Sequence, residues 1–311
     1  TPLLLLLLAA GQDKKQATLD PAQAGPDFAL QGEYAAEGAK FAAQVVALGD
    51  GKFDVYLLGG GLPGAGWDLK TKIKVSAASA DGKTLLSGKD WTGSIQEGSL
   101  AAKGPEGEIA LKRVVRASPT LGAAPPEGAT VLLGPGVLEF TRPGGKEATA
   151  VDGVLNAAGT GGFFAKKKHG SVKLHVEFQL SFMPYARGQG RSNSGVYLAG
   201  RHECQVLDSF GLTGENNECG GIYTISKPAV NMCLPPLQWQ TYDIEYRLGA
   251  AGQPALMSVL HNGVKIQENA SCKKSTTSAP DGGAADAPGS LHMQDHGNPV
   301  LYRNIWFVEL K

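Results

Sequence analysis

The longest regular pattern in the chain is an alternation. Across residues 172–182, Val172, Leu174, Val176, Phe178, Leu180 and Phe182 fall on one side of an extended backbone, and Lys173, His175, Glu177, Gln179 and Ser181 on the other. A period of two sustained this long predicts a strand in a sheet that is apolar on one face only. Shorter runs recur on both sides of it. Residues 41–48 and 53–58 flank Gly49-Asp50-Gly51-Lys52, which reads as strand, tight turn, strand. Residues 72–75, 93–100 and 108–115 add short strands, and Asp81-Gly82 another turn. Further on, strands are predicted at 194–198, 202–207, 221–225, 240–247, 256–261, 290–294 and 303–309, with Asn262-Gly263 turning the chain back onto 264–266. No segment carries a convincing amphipathic helical repeat. The pattern therefore predicts an all-β protein, most economically a β-sandwich.

The turn residues divide these strands into two blocks. The Pro-containing stretch from Ser118-Pro119 to Pro125-Pro126 reads as a boundary. In the first block the Gly-rich loop 59–68 suggests close backbone approach; no helix pattern follows it, so it is not a phosphate cradle. Residues 271–290, rich in Ser, Thr, Gly, Ala, Asp and Pro, read as a long loop, either disordered or a lid, with the composition favouring disorder.

Composition sharpens the class. The 311 residues carry 29 Lys+Arg against 29 Asp+Glu, so long-range attraction to nucleic acid is absent. An apolar share of 42% is ample for a core, and 43 glycines with 18 prolines suit many tight turns. Leu3 to Leu8, followed by Ala9-Ala10-Gly11, is too short to span a bilayer and fits the apolar stretch and cleavage region of a truncated export signal. The expected location is secreted or periplasmic, with residues 13–26 as a linker. Export permits disulfides. Cys219 and Cys233 bracket a short segment and are the expected bridge; Cys204 and Cys272 could form a second, or Cys204 could be a buried thiol. No cysteine pair has close ligand spacing, and His292 and His296, four apart, lack the helix that would align them. No metal site or cofactor is expected, although a bound divalent cation stays open.

An ordered set of motifs then appears in the second block. It comprises Asn193-Ser-Gly-Val-Tyr-Leu-Ala-Gly-Arg201, Glu203-Cys-Gln-Val-Leu-Asp208, Cys219-Gly-Gly-Ile-Tyr223, Trp239-Gln-Thr-Tyr-Asp243, Leu291-His-Met-Gln-Asp-His-Gly-Asn-Pro-Val300 and Arg303-Asn-Ile-Trp306. In this order they resemble the 3-keto-disaccharide hydrolase domain family, a concanavalin A-like jelly roll. The resemblance implies a division into signal and linker (1–27), small N-terminal β domain (28–119), linker (120–128) and jelly-roll domain (129–311). It also implies cleavage of glycosidic bonds in sugars already oxidised to a ketone at C3. The oxidation itself would belong to a separate oxidoreductase, since no dinucleotide fingerprint is present. The alternative is a non-catalytic carbohydrate-binding module, because the same fold hosts lectins.

In a jelly roll the outward face of the inner sheet is a natural sugar groove, and polar side chains should recur there at every second position. Arg201, Glu203 and Gln205 do so, as do His292, Gln294 and His296, and His175, Glu177 and Gln179. A ketone at C3 acidifies the C2 hydrogen, so a base can remove it and the C1 substituent can leave by β-elimination, with water adding afterwards. Glu203 or His296 is the candidate base, Arg201 or Gln294 the enolate stabiliser, and Asp208 or Asp295 the aid to the leaving group. Asn193, Gln205, Tyr223 and Arg303 complete the expected substrate contacts, with Tyr197, Tyr223 or Trp306 offering an apolar face for the ring. Several of these have plain structural readings: Asp208 capping its own turn, Arg303 tying the last strand, Glu203 pairing with Arg201.

Overall fold

A computed structural model describes residues 17–311 apart from 89, 251 and 285; the predicted export signal lies outside the described residues. Eight antiparallel strands, from Gly32–Ala35 through Gly107–Val114, follow one another as a meander and close into a barrel when the first pairs with the last. Closure removes the exposed edges that such a short sheet would otherwise present. The hairpin signals act as expected: Asp50-Gly51 and Asp81-Gly82 place both turn residues at positive φ, the geometry that matches strand twist. Phe41, Val45, Phe53, Val55, Leu57, Trp91 and Leu100 are among the side chains that fill the interior.

From Thr130 the chain builds two packed antiparallel sheets. The back sheet runs, in order, Val137–Leu138, Thr130–Gly134, Val300–Glu309, Val172–Leu180, Trp239–Arg247, Ala255–His261 and Val264–Cys272, with Leu155–Asn156 also on the Val300–Glu309 strand. The front sheet runs Lys146–Glu147, Phe140–Arg142, Phe163–His169, Gly289–Met293, Ser194–Leu198 and His202–Val206. Between them lie Leu174, Val176, Phe178, Val196, Cys204, Val206, Leu291 and Met293, all buried. The fold is all-β, as the alternation predicts, with the jelly-roll sandwich that the resemblance implies. Among the described residues no helix is long and apolar enough to cross a membrane.

Four local expectations change. The described part of the expected 13–26 linker, residues 17–26, is ordered: it holds a 3-10 turn and the start of the short helix Gly25–Leu30, whose Phe28 meets Phe182 edge-on at 5.3 Å. Residues 221–225 form a tight hairpin closed by Ile222 and Ser226 rather than a strand. The connection 118–126 is packed along the outer face of the back sheet, where Ser118 Oγ lies 2.6 Å from Thr241 Oγ1 and Gly122 N donates to Glu177 at 2.6 Å. On the polar side of strand Val172–Leu180, His175 and Glu177 are therefore buried as well, while Lys173 stays exposed. The fourth change is chemical. Cys219 and Cys233 are free thiols here, as are Cys204 and Cys272, all buried; the Cys219 thiol is 3.1 Å from the Tyr242 hydroxyl.

Candidate active site

The tight turn at Ala199-Gly200, both at positive φ, folds strand Ser194–Leu198 against His202–Val206 and sets the register Tyr197↔Glu203 and Gly195↔Gln205. Side chains alternate along these strands. Val196, Cys204 and Val206 enter the core, so Gly195, Tyr197, Glu203 and Gln205 face away from it. Tyr197 also pairs with His292 on the neighbouring strand, and Gln294 N donates to Gly195 O at 2.9 Å. The result is a small pocket of about 90 Å³, below the usual range for ligand sites. Glu203, Gln205, Gln294 and His296 converge in it, joined by Asn193, Tyr197 and Tyr223; Gln189, Thr277 and Ser278 come from flanking loops.

Glu203 is the chemical centre. Its side chain is buried, and the Tyr197 hydroxyl donates to Oε2 at 2.8 Å. Burial pushes its carboxyl up to about 7, only partly offset by that hydrogen bond. A carboxylate with this poise accepts a proton more strongly than an ordinary glutamate and is still about half ionised in neutral water. Burial, and then the nearby Glu203 charge, drive the Tyr197 hydroxyl up as well, far above its usual range, so it stays a donor. Gln294 Nε2 in turn donates to the Tyr197 oxygen at 3.1 Å. Gly195 keeps the space open: a β-carbon there would lie 2.2 Å from Glu203 Oε1.

Polar groups around the carboxylate are held in place. Gln205 Nε2 donates to Gln189 Oε1 at 3.1 Å and its own oxygen accepts from Val206 N at 3.0 Å. Asn193 Nδ2 donates to Gln189 O at 2.8 Å, while its Oδ1 is buried without a hydrogen-bond partner. A buried acceptor with no partner beside a pocket fits a ligand hydroxyl. His296 is exposed at the rim. His292 is not a ligand or a base: it is buried, stacks on Phe164 at 4.2 Å, and burial lowers its pKa to about 4. Among the described residues no group of three or more His, Cys, Asp or Glu could hold a metal ion.

Four residues expected at the site are elsewhere. Asp208 is buried in a pair with Arg191, whose Nε donates to Oδ2 at 2.6 Å and whose Nη2 reaches Ala47 O of the barrel at 3.3 Å. It fastens the barrel to the sandwich. Asp295 closes its own turn, accepting from Gly297 N and Gly161 N, both at 2.8 Å. Arg303 lies on the back sheet, bonded to Glu177 at 2.7 Å and stacked over Trp239. Arg201 begins no strand. Its buried guanidinium reaches Ala287 O and, at 3.6 Å, Asp281, anchoring the 271–290 loop instead of binding in the pocket. His175, Glu177 and Trp306 also belong to the back sheet, away from the pocket.

Tyr197 was legible only as an aromatic face; its pairing with Glu203 follows from the Ala199-Gly200 turn and could have been read from it. Gln189, Thr277 and Ser278 carry no periodic signal and reach the pocket only through the tertiary fold.

The family model for the 3-keto-alpha-glucoside-1,2-lyase-like domain matches residues 76–308, about three quarters of the chain, beginning inside the barrel. A solved structure from Parabacteroides distasonis, provisionally named a glycosyl hydrolase, is 29% identical, with a TM-score of 0.52 over 60% of this chain and 85% of its own. A second one from that organism, also so named, is 20% identical, with a TM-score of 0.44 over 60% of this chain and 95% of its own. No curated protein matches.

Proposed function

The chain belongs to the 3-keto-alpha-glucoside-1,2-lyase-like family, and from that premise we propose that it cleaves 3-keto-glycosides by β-elimination with Glu203 as the base. The observation that carries this reading is a single buried carboxylate, raised to about 7, at the centre of a small polar pocket. Hydrolysis by paired carboxylates needs a second one across the bond. Among the described residues none lines this pocket, and Asp208 and Asp295 are engaged elsewhere.

The Glu203 carboxylate takes the proton from C2. The C–H electron pair forms the C2–C3 enolate, with charge on the C3 oxygen. That charge returns to reform the ketone, the pair shifts into a C1=C2 double bond, and the C1–O bond breaks. Gln294 is the donor for the C3 oxygen, and His296 at the rim donates a hydrogen bond toward the leaving oxygen. The leaving oxygen takes a proton, Glu203 returns its own to solvent, and water can add across the double bond. Asn193 and Gln205 hold sugar hydroxyls, and Tyr223 offers a ring face. The ketone is supplied by a separate oxidoreductase.

The test uses the full chain with a 3-keto-glucoside deuterated at C2, following release of the leaving group. Elimination predicts turnover slowed by the deuterium and lost in Glu203→Gln. Saturable sugar binding without turnover overturns the reading in favour of a binding module; turnover unchanged in Glu203→Gln overturns the role of this residue.

A further inference from the structure

The Glu203 pocket has a neighbour. The hairpin 222–226 and the segment 270–278 each wall two compartments. Tyr223 on one and Thr277 and Ser278 on the other line the Glu203 pocket. Thr224 and Ser226 on the first, and Lys273 and Lys274 on the second, line an open groove beside it.

Both walls are fixed. Gln267 Nε2 donates to Ser226 O at 3.2 Å and to Gly220 O at 3.1 Å, while Ser226 Oγ donates to Gln267 Oε1 at 2.9 Å. Opposite, Thr276 N and Oγ1 both donate to Arg201 O, at 2.9 and 3.0 Å. Thr224 (φ 61°) and Ser278 (φ 63°), one on each wall, hold left-handed backbone, an uncommon state for a β-branched threonine in particular. Strain of this kind persists where the surroundings over-determine it, and it clusters at ligand sites.

The groove carries unbalanced charge. Lys273 and Lys274 are exposed and form no ion pair among the described residues. The nearest carboxylate before them in the chain, Glu268, is held by Lys265 at 2.7 Å, and Asp281 beyond them lies 3.6 Å from Arg201. Asp286 faces Lys273 across a separate hollow, but no carboxylate lines this groove, so in a chain of zero net charge the two adjacent lysines leave net positive potential in it.

We propose that this groove is the leaving-group subsite of the Glu203 pocket and that Lys273 and Lys274 select a leaving group bearing an anionic substituent such as a carboxylate. The inference rests on the elimination proposed above, because it assigns the groove to that reaction's second half-substrate.

The test compares two aryl 3-keto-glucosides that differ only in a carboxylate or a carboxamide on the aryl ring. Wild type should show kcat/KM roughly tenfold higher for the carboxylate at low salt, expressed in KM and shrinking as ionic strength rises. Replacing both lysines by alanine should bring the ratio of the two substrates to one. Equal kcat/KM in wild type, or a preference that survives both substitutions, overturns the subsite. If neither substrate turns over, the elimination fails and the subsite is read separately, by titrating the protein with benzoate and benzamide while following backbone amide NMR signals. Shifts confined to 224–226 and 271–274 and specific to benzoate support it; no benzoate-specific shift there overturns it.

Discussion

Glu203 and Glu177 are the same residue type, both buried, on the outward faces of two sheets of one sandwich. Glu177 on the back sheet accepts from Arg303 Nε, Asn304 Nδ2 and Gly122 N at 2.6–2.8 Å, with His175 alongside at 3.6 Å. Burial alone would raise its carboxyl, but these donors outweigh burial and hold it down at about 2. Among the described residues Glu203 has one donor, and burial wins. Burial is common to both; the count of donors separates a carboxylate held low from one pushed up, the property the proposed base needs. The segment 118–126 completes the difference, since it crosses the back sheet and closes over Glu177, while the front sheet keeps an opening at Glu203.

The largest effect expected from this contrast is on turnover. Glu203→Gln should lower kcat/KM on a 3-keto-glucoside by about 10³-fold or more, the scale of losing a positioned base, with the fold intact. Glu177→Ala should do the reverse. It should cost about 3 kcal/mol at pH 7 by leaving its buried donors unpaired, read as a lower denaturant midpoint. The sign with pH follows from the lowered pKa. The stability Glu177 supplies is present above about 4.5 and is lost as pH falls toward 2, so wild type and variant should converge in acid.

Glu203 carries the opposite linkage. Its folded pKa lies above its unfolded one, so its contribution is fully present below about 4.5 and is lost as pH rises through about 7. Glu203→Gln removes that cost. The variant should be more stable than wild type by about 3 kcal/mol at pH 8 and close to it at pH 4.5, by thermal melts at both pH values. A variant that is less stable at pH 8 would mean that the carboxylate is not strained by its burial.

How much of this was legible before the structure depends on which interactions each residue answers to. The strands, the Asp-Gly and Asn-Gly turns and the inward Cys204 and Val206 are set by periodicity and turn chemistry, which are local. Glu203, Gln205 and Gln294 were legible as a converging set because alternation and the motif order place them on one face. Asp208, Arg201 and Arg303 looked equivalent in sequence. Which partner each takes, whether Arg191, the carbonyl of Ala287 or Glu177, is fixed by contacts from 17 to 126 positions away. The same holds for the two glutamates: no sequence pattern states that residues 118–126 cover one and leave the other open. The expected Cys219–Cys233 bridge rested on spacing alone, and spacing does not say which thiol meets Tyr242.

The finest distinction between the two glutamates is the single Tyr197 hydrogen bond, and it gives the smallest measurable effect. Elimination by an ionised Glu203 predicts that kcat/KM rises with pH with a midpoint at about 7 and then levels. Tyr197→Phe removes the one side-chain donor that favours the charged carboxylate. The midpoint of that rise should move to higher pH by about one unit, equivalent to about 1.4 kcal/mol, while the plateau at high pH changes little. A lower plateau with an unmoved midpoint would make Tyr197 a substrate contact instead, and the poise of Glu203 would then come from burial alone.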